Sequence, residues 1–224
     1  MGRIRKAYET RFRWLLQQVR ARRLDQGVQQ LVQQARQLSL KQHLSEAEGL
    51  MRVHERLAIH PRYRATTGPG APDPFFCDAG LGGLARWLRA AGYEAFWEAG
   101  IDDDELLQRA RELVATILTT DSMLMERRLL RDRVIPSLWL PPTLSIAEQL
   151  RLVFREFGLA ARAPRCMSCG GELRRSNKEA LHERIPPKTY RWLDEYFRCS
   201  QCGQLFWHGT HWQKIAAVLE SVKG

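Results

Sequence analysis

From Ile4 to about Leu57 apolar residues recur three and four positions apart. Tyr8, Phe12, Leu15, Leu16 and Val19 form one stripe, and Leu24, Val28, Leu31, Val32 and Ala35 form the next. The pattern predicts two or three amphipathic helices over residues 1–60, with breaks near Asp25–Gly27 and Leu38–Ser45. Ser45 followed by Glu48 suits a capping box at the start of the last helix. The Pro/Gly/Thr-rich run PRYRATTGPGAPDP, residues 61–74, then reads as a linker and a domain boundary.

Beyond the linker the period changes. Phe75–Asp78 reads as a strand, Leu81–Ala91 as a helix, Tyr93–Trp97 as a short strand and Asp104–Leu113 as a helix opened by acids. Ala115–Thr119 is apolar and β-branched, Ser122–Leu130 helical, Val134–Leu140 a strand and Ser145–Phe157 an amphipathic helix. Pro136 marks its strand as an edge. Strands alternating with helices predict an α/β domain over 75–160, three-layered with a mostly parallel sheet. Residues 161–224 follow as a separate cysteine-bearing module, and no internal repeat is present.

Charge sharpens this division. The net charge of +10 is unevenly distributed: residues 1–65 hold 14 Lys/Arg against 5 Asp/Glu, 75–160 hold 10 against 13, and 161–224 hold 11 against 6. Basic ends around an acidic middle suit nucleic acid, the ends neutralising phosphates and the middle binding cations. No apolar run approaches the roughly 18 residues needed to cross a membrane. The N-terminal MGRIRKAYETRFRWLL has no signal-peptide core. A cytoplasmic protein without membrane attachment is expected.

Two acids stand where strands stop: Asp78 ends PFFCD and Asp121 ends ATILTTD. Asp102, Asp103 and Asp104 open the helix after the second strand. In a parallel sheet these endings share one edge, where α/β proteins hold their ligands. A carboxylate cluster repels itself unless it is protonated or binds a cation, and oxygen-only ligands suit Mg²⁺ or Mn²⁺. Helix caps and turn residues account for the same acids equally well. Arg86 and Arg89, just after Asp78, are candidates for holding a phosphate, or are solvated helix arginines. Lone Cys77 reads as a small buried apolar residue.

Cys166, Cys169, Cys199 and Cys202 form two CxxC pairs, each trailed by glycine. The spacing points to a zinc knuckle pair, whose four thiolates complete a tetrahedral ion and leave no open position, so a structural Zn²⁺ is expected. Around it, Arg174, Arg175, Lys178, Arg184, Lys188 and Arg191 alternate with Tyr190, Trp192 and Phe197, a pattern suited to RNA.

The stretches FFCDAGLGGLARWLRAAGY, IDDDELLQRAREL and ILTTD, followed by the cysteine module, resemble the Mut-seven C-terminal RNase domain family over about residues 75–213. The resemblance implies a PIN-like nuclease fold with a C-terminal zinc ribbon and metal-dependent RNA cleavage. It implies Asp78, Asp104 and Asp121 as catalytic acids holding Mg²⁺ or Mn²⁺, with Asp102 and Asp103 as further acids and no fourth acid clearly placed between Glu126 and Asp132. It also singles out Trp207, Gly209 and His211, making His211 a candidate RNA contact. Thr120 departs from the pattern, since many members carry arginine before that aspartate.

Two functions follow. One is a metal-dependent ribonuclease acting on tRNA, rRNA or mRNA and gripping it by basic flanks. The other is a non-catalytic RNA- or ribosome-binding protein of the same fold. The basic helical arm, which the resemblance does not cover, suits RNA docking, a protein partner or homo-oligomerisation. A zinc-ribbon DNA-binding factor would leave the strand-end acids unexplained.

Overall fold

A computed structural model describes residues 2–58 and 74–221. The linker expected at 61–74 falls, but for Pro74, outside the described residues. The chain runs through α1 (Gly2–Gln18), α2 (Leu24–Gln42), α3 (Glu46–Ala58), β1 (Phe75–Cys77), α4 (Gly82–Ala90), β2 (Ala95–Trp97), α5 (Asp103–Glu112), β3 (Thr116–Thr119), α6 (Arg128–Arg131), β4 (Ser137–Trp139) and α7 (Ile146–Phe157). It continues through β5 (Leu173–Ser176), α8 (Pro187–Trp192), β6 (Tyr196–Cys199), β7 (Leu205–Trp207) and α9 (Thr210–Ser221). The class is α/β. The first four strands form a sheet of order β2-β1-β3-β4, in which β2 runs parallel to β1 and β4 to β3. β4 is an edge, as Pro136 required, and the Pro136 carbonyl still accepts from the Ile117 amide at 2.9 Å. By internal contact the chain divides into two units, residues 1–70 with 102–145, and residues 71–101 with 146–224.

In the first unit α1, α2 and α3 pack on one another. The first helix break falls at residues 19–23, ahead of the expected Asp25–Gly27. Gly27 instead lies inside α2, where a Cβ would come within 2.7 Å of a Leu16 methyl. Gly49 is similarly a contact residue, its missing Cβ lying 2.5 Å from the Ala35 carbonyl oxygen. The second break is as expected. The Ser45 amide donates to Glu48 Oε2 at 2.8 Å and the Glu48 amide to Ser45 Oγ at 3.2 Å, a complete capping box.

Tyr8 and Phe12 of α1 are fully buried. The Tyr8 ring meets Trp139 of β4 edge-on with centroids 5.5 Å apart, and its hydroxyl lies 3.2 Å from Thr143 Oγ1. His54 of α3 approaches the same indole at 4.9 Å, and the Arg11 guanidinium stacks over Trp14 at 3.8 Å. Arg11 Nε and Nη1, Trp14 Nε1 and His54 Nε2 are buried without hydrogen-bond partners. Burial, with the Arg133 charge, pushes Arg11 down to about 9, and burial, with the Arg11 charge, pushes His54 down to about 3. The histidine is therefore neutral in the fold. The helix expected at Ser122–Leu130 is broken into a 3₁₀ turn, Leu124–Glu126, and the short α6. Arg127, in extended backbone, separates the two.

In the second unit Phe75 packs edge-on against Phe157 of α7, and Tyr93 against Phe154. The Tyr93 hydroxyl donates to the Ala160 carbonyl at 2.7 Å. Strands β5, β6 and β7 form an antiparallel three-stranded ribbon. Its small core of Leu181, Ile185 and Tyr196 is flanked by Tyr190, Leu193, Leu205 and Trp207. Among the described residues no helix is long and apolar enough to cross a membrane.

Candidate functional site

The cysteine module is the most sharply built site. Cys166, Cys169, Cys199 and Cys202 bring their sulfurs within 4.8 Å of one another, the one such metal-capable group of three or more His, Cys, Asp or Glu residues among the described residues. Cys166 and Cys202 are 3.6 Å apart, and Cys169 and Cys199 3.4 Å. Sulfurs on a tetrahedral ion with bonds of about 2.3 Å would stand about 3.8 Å apart, so the set fits a metal with little adjustment.

Each knuckle is shaped by its backbone. The Gly171 amide points at Cys169 Sγ and the Gln201 amide at Cys199 Sγ, both at 3.4 Å. The trailing glycines Gly170 and Gly203 have φ of 82° and 71°, a region costly for residues with a Cβ. A Cβ on Gly171 would lie 2.7 Å from Cys199 Sγ. The glycines that marked the motif are thus sterically required.

The strand-end acids are held by local hydrogen bonds. Asp78 follows β1 and caps a 3₁₀ turn, Ala79–Leu81, its Oδ1 accepting from the Gly80 amide at 3.0 Å. Gly82 and Gly83 were expected to loosen this backbone, yet both lie in α4. A Cβ on Gly82 would meet the Trp97 ring at 2.6 Å, and one on Gly83 the Ile146 side chain at 2.6 Å. They permit close packing beside Asp78. The Trp97 indole also donates to the Ala79 carbonyl at 3.0 Å.

Asp121 follows β3, and its Oδ1 accepts from the Met123 amide at 2.7 Å. Its own amide donates to Thr119 Oγ1 at 2.9 Å. Asp102 caps α5, accepting from the Glu105 amide at 2.9 Å. Asp103 and Asp104 occupy the first turn of α5, where a negative charge is favoured. Asp104 pairs with Arg127. Asp78 belongs to the second unit, and Asp102, Asp103, Asp104 and Asp121 to the first.

Two open grooves in the first unit adjoin these acids. One, of about 690 Å³, runs past Asp104, Arg111, Arg127 and Arg128. The other, of about 310 Å³, lies between α1 and the end of β3, with Arg3, Lys6, Thr10, Thr120, Asp121 and Ser122 among its walls. Neither Arg3 nor Lys6 had been singled out individually. Their signal was the charge of α1, which did not reveal what they stand beside.

Among the candidate phosphate contacts, Arg89 has another task. It is 6% exposed. Its Nε donates to the Ala95 carbonyl at 2.7 Å, and its Nη1 to the Ser168 and Met167 carbonyls at 2.8 and 3.2 Å. It holds the first knuckle, and burial lowers its pKa from the ordinary value. The expectation of a phosphate contact at Arg89 is corrected by this burial. Arg86 is exposed. Arg174 pairs with Glu172, Arg175 with Glu195 and Lys178 with Asp194, all on the ribbon. The side chain of His211 lies outside the described residues.

The model of the Mut7-C RNAse domain family matches residues 73–219. The chain belongs to that family. The match begins just before β1 and ends within α9, so α1, α2 and α3 lie outside the Mut7-C RNAse domain. No curated protein and no solved structure matches the chain.

Proposed function

We propose that the protein is a divalent-metal-dependent ribonuclease with Asp78, Asp104 and Asp121 as its catalytic acids. Membership of a family described as an RNAse domain carries this reading. Acids directly after β1 and β3 support it, since α/β sheets bind ligands at strand carboxyl ends. A PIN-like arrangement is part of the proposal, as are Asp102 and Asp103 as neighbouring acids.

The oxygen-only donor set fits Mg²⁺ or Mn²⁺. Such an ion would neutralise the phosphate and lower the pKa of attacking water. The chain's own contribution is positioning. The Gly80 and Met123 amides orient the Asp78 and Asp121 carboxylates through their Oδ1 atoms, and Arg127 restrains Asp104. RNA binding falls to exposed cations, including Arg86, Arg174 and Arg175. Lys178 and His211 are further candidates. In the ribbon Zn²⁺ is the proposed ion. Its role is structural, because four cysteines leave no position for substrate.

The protein incubated with total cellular RNA and Mn²⁺ should generate new RNA ends that EDTA abolishes, read by end mapping. That assay also reports whether tRNA, rRNA or mRNA is the substrate. Asp78→Asn preserves the turn, because Asn and Asp cap about equally well. It should lower cleavage by orders of magnitude while folding and RNA binding persist. Full activity in Asp78→Asn would overturn its catalytic assignment.

A second reading, RNA binding without turnover, is favoured by the Asp104–Arg127 pair, which already neutralises one of the three acids. RNA retained with no new ends under any divalent ion would select it.

A further inference from the structure

The first turns of α1 carry three exposed cations, Arg3, Arg5 and Lys6, and their surroundings differ. Arg5 is engaged by Glu9 at 2.9 Å and by Glu46 at 3.8 Å. Arg3 and Lys6 form no ion pair among the described residues, and both line the groove of about 310 Å³ whose opposite wall carries Thr120, Asp121 and Ser122. Two uncompensated cations therefore face a groove bordered by a strand-end acid. They are not that acid's counter-ions, because Asp121 Oδ1 is occupied by the Met123 amide.

The register of α1 is fixed from its other side. Tyr8 and Phe12, fully buried, pin the helix against Trp139 and the α3 face. Arg3 and Lys6 are three positions apart and so share a face of the helix. The hydroxyls of Thr10, Thr120 and Ser122 add neutral hydrogen-bonding groups to the groove. Cations flanked by hydroxyls suit a phosphodiester, the cations supplying charge and the hydroxyls direction. The groove is open and its volume is of the order of one nucleotide, which suits a single strand rather than a duplex.

We infer that α1, which lies outside the matched family domain, forms one wall of the substrate groove, Arg3 and Lys6 gripping a backbone phosphate of single-stranded RNA next to Asp121. The inference rests on reading Asp121 as part of a ribonuclease site, but concerns binding rather than chemistry. Arg3 and Lys6 are binding residues, and Asp121 keeps its separate role.

The test uses the full chain and a short fluorescein-labelled single-stranded RNA, with anisotropy read in EDTA across a salt series and cleavage read separately with Mn²⁺. The double variant Arg3→Gln with Lys6→Gln should bind roughly tenfold more weakly at moderate salt. Its slope of log affinity against log salt should be shallower by about 1.4, since each lost phosphate contact on a single strand removes about 0.7. Arg3→Lys with Lys6→Arg should restore both values. Arg5→Gln, which removes a cation already paired, is the control and should change little. Helix content by circular dichroism should be retained in every variant, because these side chains are exposed.

Unchanged affinity and slope in the double variant would overturn the inference, whatever happens to cleavage. So would an equal loss in Arg5→Gln, which would reduce the effect to overall charge. A parent that never cleaves RNA, but whose double variant loses affinity and slope as stated, would remove the ribonuclease reading and leave the groove assignment standing.

Discussion

The three-helix segment and the cysteine ribbon are stabilised in opposite ways. Helices α1, α2 and α3 bury large side chains, among them Tyr8, Phe12, Leu15 and Leu50. That burial is extensive enough to include Arg11, Trp14 and His54 atoms with no hydrogen-bond partner. The ribbon's core holds three buried side chains, yet it places four sulfurs within 4.8 Å and aims backbone amides at two of them. One region tolerates unsatisfied polar atoms because its packing is deep. The other has little packing and satisfies its key atoms in detail.

The largest test of this contrast is metal removal. Chelation, or Cys199→Ser, should unfold the ribbon, since structural zinc contributes on the order of 10–16 kcal/mol to small domains at neutral pH. Hydrogen exchange should show β5, β6 and β7 losing protection while α1, α2 and α3 keep theirs. Protected ribbon amides in metal-free protein, or freshly purified protein lacking zinc by elemental analysis, would erase the contrast.

Next in size is Trp139→Ala. The indole is 1% exposed and meets Tyr8 and His54. Removing it should cost roughly 3–5 kcal/mol in urea unfolding without lowering the metal content of the ribbon.

His54 predicts a pH dependence confined to the helical region. Burial and the Arg11 charge hold its pKa at about 3, against an ordinary 6.5. Between those values the unfolded chain binds a proton that the native chain does not. Its contribution is therefore complete above about pH 6.5 and declines as pH falls towards 3, by up to about 1.4 kcal/mol per pH unit. His54→Phe should flatten that part of the stability profile, read from urea midpoints. An unchanged slope would mean that His54 is not buried in the neutral form.

The smallest effect belongs to the capping box. Ser45→Ala should cost about 1 kcal/mol and loosen the start of α3 in hydrogen exchange. A loss near that of Trp139→Ala would mean that local hydrogen bonding, rather than packing, dominates the helical region.

Features encoded within a few residues were legible from the sequence. The CxxC spacing, the Ser45–Glu48 box, the alternation of strands and helices and the edge position announced by Pro136 all depend on local chemistry. Features requiring distant neighbours were not. Gly27 reads as a helix break, but serves contact with Leu16. Arg89 reads as a solvated or phosphate-binding cation, since nothing in LARWLRAAG reveals the carbonyls of Met167 and Ser168 that will enclose it. Tyr8 meets a hydroxyl 135 positions away. The Ser122–Leu130 helix was overextended because composition cannot show where Arg127 leaves helical backbone. Of the candidate site, the acids could be placed at strand ends by pattern. Their hydrogen bonds, the Arg127 pair and the cations lining the Asp121 groove required coordinates.

Arg89 has a consequence for how the second unit matures. Its guanidinium joins the β2 carbonyl of Ala95 to two carbonyls of the first knuckle, and those two acceptors take their positions when the knuckle closes. Until then a largely buried cation lacks part of its solvation, a cost that falls on α4 as well as on the ribbon. Metal loading therefore becomes a checkpoint in assembly. A chain emerging under zinc starvation would carry a strained α4 immediately after Asp78, and quality control could recognise it before RNA did.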